Sequence, residues 1–74
     1  MNFPEYAAQK GLHLLKDDIK FIRARLHKVP QNARKSIMLR YIEIWLSTMR
    51  REPNVILREN MGRREANKYL LTVI

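Results

Sequence analysis

The chain has 74 residues, no cysteine, and fifteen lysines and arginines against seven acidic residues, for a formal net charge of +8. Without cysteine it can form no disulfide, thiolate metal site or cysteine nucleophile, and its two histidines are too few for a zinc site unless carboxylates join them. One small domain over residues 1–74 is expected; at this length only about 60% of the unfolded surface is buried, which makes a homodimer a natural source of added stability, and the excess of cations points to an anionic partner.

Residues 1–15 carry Glu5, Gln9, Lys10 and His13 and lack the basic start and apolar run of a secretory signal. No stretch of about 18 apolar residues occurs, so no membrane span is expected. A hydrophobic content of 46% is that of a folded chain, and a cytoplasmic location is the expectation.

The prolines divide the chain into segments. From about Pro4 to Lys28, Ala8, Leu12, Leu15, Ile19, Ile22, Leu26 and Val29 are spaced alternately by four and three. That spacing predicts one continuous helix, about 24 residues and so about 36 Å long. Gly11 falls inside it, at a cost of about 1 kcal/mol relative to alanine, and marks a kink or a close crossing. From about Gln31 to Arg51, two adjacent seams (Ile37, Tyr41, Ile44, Thr48 and Met38, Ile42, Trp45, Met49) make a helix that is apolar over more than half its circumference. Such a helix must touch more than one neighbour. It is expected at the centre of the fold, with Met38, Ile42, Trp45 and Met49 as the candidate self-interface.

After Pro53, Val55, Ile56 and Leu57 are expected to tuck under the hairpin. Asn60 is a candidate cap for a last helix from Met61 or Gly62 to Thr72. Period-two runs and tight hairpin turns are missing. The expected fold is all-α: a long two-helix antiparallel hairpin with a shorter third helix packed across it.

Three groups of cations carry the functional expectation. Lys16, Lys20 and Arg23, with His13 and His27, form a stripe at spacings of three and four beside the first helix's apolar seam. A row of cations about 5–6 Å apart can follow a phosphate backbone; the competing reading is a solvated face partly neutralised by Asp17 and Asp18. Arg34 and Lys35 stand in the first turn of the central helix, where positive charge opposes the helix dipole, so a use outside folding is inferred for them. Arg63, Arg64, Asn67 and Lys68 lie near the start of the last helix, on the face away from Ala66, Leu70 and Val73. Arginine and asparagine there suit phosphate contact or base reading in a major groove. The long connection from Glu52 to Asn60 departs from a tight helix-turn-helix.

The run Arg63-Arg64-Glu65-Ala66-Asn67-Lys68-Tyr69-Leu70-Leu71 resembles a short helical motif of phage gene A-type replication-initiation proteins. The resemblance covers nine residues and implies a small accessory DNA-associated protein of a mobile element. That family's nicking chemistry needs a metal-binding histidine pair and a catalytic tyrosine on a sheet; neither pattern occurs in this chain, so no activity carries over.

Asp17 and Asp18 diverge as neighbours on a helix, no carboxylate pairs with a histidine at helical spacing, and no glycine-rich phosphate loop is present. The protein is therefore expected not to be an enzyme and to need no cofactor or metal. The expected function is binding of nucleic acid, DNA ahead of RNA, through basic helical faces. The alternative is a helical adaptor or inhibitor that docks an acidic protein surface through the Trp45 face, where methionines suit a partner groove. No membrane role is expected, because the first helix needs its seam for the core and lacks an aromatic wedge.

Overall fold

The computed structural model describes residues 3–73, and among them the regular elements are four helices: α1 (Phe3–Gln9), α2 (Lys16–Leu26), α3 (Gln31–Arg51) and α4 (Arg58–Val73). The all-α class holds. The single long first helix does not: it is two helices joined by a non-helical link over residues 10–15.

The break lies at Gly11, which has φ +86°. The Gly11 N–H donates to Ala8 O at 3.0 Å and the Leu12 N–H to Ala7 O at 3.0 Å. This pair of bonds, with Gly in the left-handed region and a buried Leu12 after it, is a Schellman stop. The heptad spacing runs on through the break only numerically. Ala8 is exposed, and Leu15, expected in the seam, is 57% exposed at the start of α2. Periodicity cannot register a glycine whose backbone has left the helical region.

α2 starts where the Leu15 N–H donates to the Asp18 carboxylate at 2.9 Å, the return half of a capping box. Asp17 and Asp18 in the first turn and Arg23 and Arg25 in the last suit the helix dipole. Pro30 is the N-cap residue of α3, and the Ala33 N–H donates to its carbonyl at 3.0 Å. At about 1.5 Å per residue, the 21 residues of α3 span most of the molecule's 37 Å long axis.

α3 and α4 form the closest helix pair. Met38, Tyr41, Ile42, Trp45 and Thr48 are buried on α3, and Gly62, Ala66 and Leu70, one turn apart, on α4. Small residues let the two backbones approach. A Cβ built on Gly62 would lie 2.5 Å from Trp45 Cδ1 and 2.9 Å from the Trp45 carbonyl oxygen, so only glycine fits against the indole. α1 lies along the other side of α3. Phe3 packs edge-on to Tyr41 at 6.4 Å, and Tyr41 in turn to Trp45 at 5.9 Å. Ile22 joins this core from α2. Burial of Ile22 and Leu70, each under 2% exposed, contributes about 1.5–3 kcal/mol apiece.

Three sequence expectations are corrected here. Met38, Ile42 and Trp45, read as a self-interface, are 6%, 3% and 0% exposed within one chain; α1 and α4 already cover them, and only Met49 of that group is half-buried at the rim. Val55, Ile56 and Leu57, expected under the hairpin, are exposed on the connection between α3 and α4. Asn60 lies inside α4 rather than capping it, because the helix begins at Arg58. At its other end α4 runs to Val73, one residue past the expected Thr72, and Ile74 lies outside the described residues.

Candidate nucleic-acid interface

Helical geometry sorts the cations of α2. Asp18 and Ile22 face inward. At about 100° per residue, Lys16, Lys20, Arg23 and His27 fall within about 60° of one another on the opposite side. All four are exposed. None of the ion pairs among the described residues involves Lys16, Lys20 or Arg23. From Lys16 to His27 the row is about 16 Å long, and exposed Lys28 continues it. Of the stripe expected from the sequence, Lys16, Lys20 and Arg23 thus form an outward, unpaired row of positive charge, whereas His13 lies in the link before α2 with its ring 3.9 Å from Glu59.

The α4 group divides. Arg63 turns inward: its Nε donates to both Asp18 carboxylate oxygens at 2.9 and 3.0 Å, and one terminal nitrogen donates to Asn60 Oδ1 at 2.9 Å. Its guanidinium lies 5.0 Å from the centre of the Trp45 ring. Asn67 accepts a 2.7 Å hydrogen bond from the Tyr41 hydroxyl. Both residues were expected on an outer, base-reading face; their polar groups instead tie α4 to α2 and α3. Arg64 is exposed, and Lys68 is exposed with its ammonium 3.4 Å from Glu65. Of this group, these two point outward, one turn apart.

The first turn of α3 divides as well. Arg34 Nε donates to Val29 O at 3.1 Å, and a terminal nitrogen reaches His27 O at 3.5 Å. Arg34 therefore satisfies carbonyls at the end of the preceding helix, which is the structural use that the dipole argument did not supply. Lys35 remains exposed beside it.

The inward polar residues form one buried junction. The Tyr41 hydroxyl is held well above its ordinary pKa, first by burial and then by the nearby Asp18 charge, with Arg63 acting in the opposite direction. Asp18 is 7% exposed. Charge pairing, the Leu15 N–H and the Trp45 ring together compensate the charges removed from water there. The Trp45 indole N–H is buried without a hydrogen-bond partner, its edge turned to Gly62. Sequence reasoning missed Asp18 as the organising residue, although an acid three positions after a helix-starting Leu15 is the pattern of a carboxylate turned back on its own cap.

Among the described residues no group of three histidines or carboxylates could hold a metal ion. Comparisons with protein-family models, curated proteins and solved structures found no match.

Proposed function

We propose that the protein is a small nucleic-acid-binding protein, DNA ahead of RNA, that grips the phosphate backbone with the outer face of α2. One observation carries this reading: Lys16, Lys20 and Arg23 stand in an exposed row without acidic partners, on a chain of net charge +8. Arg64, Lys68 and Lys35 add exposed charge on other helices. With Arg63 and Asn67 committed to the interior, the contacts available are phosphate contacts, which position a protein without reading sequence. The role is that of an accessory or regulatory binding protein rather than an enzyme.

Anisotropy of labelled duplex and single-stranded DNA, titrated at two salt concentrations, tests the reading. Three to four phosphate contacts predict a loss of about 40- to 150-fold in affinity between roughly 50 and 200 mM salt. The double variant Lys20→Glu/Arg23→Glu, at exposed positions, is expected to bind more than about tenfold more weakly while unfolding at the same urea concentration. No binding at low salt, or binding indifferent to both salt and the double variant, overturns the proposal. Capture by an acidic protein under those conditions would favour the adaptor alternative, although the Trp45 face first considered for it is buried.

A further inference from the structure

The connection between α3 and α4 presents three consecutive aliphatic residues to solvent: Val55 is 71%, Ile56 86% and Leu57 45% exposed. The segment is not a slack loop. The Ile56 N–H donates to Asn54 Oδ1 at 3.0 Å, the Asn54 N–H to Glu52 Oε1 at 3.1 Å, and the Leu57 N–H to Asn54 O at 3.1 Å. Arg58 Nε closes the turn by donating to Glu52 O at 2.7 Å. The Asx turn thus holds its backbone together internally and leaves the aliphatic side chains outside. Clustered exposed aliphatic residues in a fixed turn mark a contact surface.

Cations flank this turn along the chain. Arg50 and Arg51 end α3, and Arg58 begins α4. Because α1 runs beside α3, its end arrives at the same place: Lys10, Arg50 and Arg58 share one open hollow, of about 430 Å³, whose floor is Leu46 and Met49. Two carboxylates lie next to the turn, against the four cations Lys10, Arg50, Arg51 and Arg58. Glu52 receives the Asn54 N–H, and Glu59 faces His13 at 3.9 Å.

We propose that this end of the molecule docks on an anionic lipid surface, with Val55, Ile56 and Leu57 entering the acyl boundary and Lys10, Arg50, Arg51 and Arg58 meeting headgroup phosphates. Charge argues against a second copy of the chain as the occupant. A second copy of the chain, meeting tip to tip, would set the arginines of both copies against each other. Consecutive side chains of a tight turn also radiate instead of sharing one face. A fluid acyl layer accommodates that shape, and its anionic headgroups complement the flanking cations. Its residues are not those of the α2 row, although His13, just before that row, reaches Glu59 beside the turn, and the proposal does not depend on nucleic-acid binding.

The test is co-sedimentation of the full chain with vesicles of phosphatidylcholine alone and with vesicles that also contain phosphatidylglycerol. Binding is expected only to the anionic vesicles, weakened by salt, and reduced about tenfold or more in Val55→Ser/Ile56→Ser. The Lys20→Glu/Arg23→Glu protein is expected to retain it within about twofold, and the Val55/Ile56 variant is expected to retain DNA affinity. Thermal unfolding verifies that the exposed-site variants remain folded. Failure to bind anionic vesicles overturns the proposal, as does equal binding by the wild type and the Val55/Ile56 variant. It is likewise overturned if those serines abolish a concentration-dependent dimer, or weaken DNA binding while leaving vesicle binding intact.

Discussion

Gly62 and Tyr41 show how much of this fold rests on single atoms. Replacing Gly62 with alanine places a methyl group where Trp45 Cδ1 and the Trp45 carbonyl oxygen already lie. Neither can move without parting α3 from α4, so Gly62→Ala is expected to cost about 1–3 kcal/mol, the usual range for overpacking. Urea unfolding should show a lower midpoint at unchanged slope. Tyr41 makes stability depend on pH in a definite direction. In the unfolded chain a tyrosine gives up its proton near pH 10, whereas the buried Tyr41 hydroxyl keeps it beyond that point. The folded state then binds more protons than the unfolded one. The Tyr41 contribution is complete below about pH 10 and is lost as pH rises through the folded-state value. Tyr41→Phe is expected to unfold about 1 kcal/mol more easily at neutral pH, through loss of the bond to Asn67, and to show a shallower decline in stability above pH 10. Urea midpoints of both proteins across that range check the sign.

At the level of elements, the sequence was most legible where periodicity and backbone agreed. α3 runs from Gln31 to Arg51 as its double seam predicts, and its breadth of apolar surface reflects two flanking helices, α1 and α4. The first segment was misread because side-chain spacing says nothing about φ, and Gly11 terminates α1 through backbone hydrogen bonds that no heptad pattern encodes. The Val55–Leu57 turn was misread for a different reason: composition identifies apolar residues but not whether a neighbour reaches them, and the turn is closed by Asn54 and Glu52 without burying anything. Arg34 offers a test of the corrected reading at the α2–α3 junction. If it serves the carbonyls of His27 and Val29, Arg34→Ala should lower stability by about 1 kcal/mol and leave salt-dependent DNA binding nearly unchanged. A variant that is fully stable but binds DNA poorly would return Arg34 to the interface.

Across the whole molecule, the sequence conveyed the amount of charge but only part of its placement. The α2 row was legible because helical spacing alone sets Lys16, Lys20 and Arg23 opposite a buried stripe. The roles of Arg63 and Asn67 were not, because their partners Asp18 and Tyr41 stand 45 and 26 residues away along the chain and only the folded packing of α2, α3 and α4 brings them together. The same junction has an optical consequence. Trp45 is the only tryptophan, fully buried beneath the Arg63 guanidinium. Water cannot relax around its excited indole, so native emission should be short in wavelength and shielded from soluble quenchers. Lys16, Lys20 and Arg23 lie on the side of α2 away from this ring, so a ligand gripped there leaves the emission unaltered, whereas any parting of α4 from α3 reddens it. The chain thus carries a built-in gauge of its own interior, and that gauge is blind to events on its charged exterior.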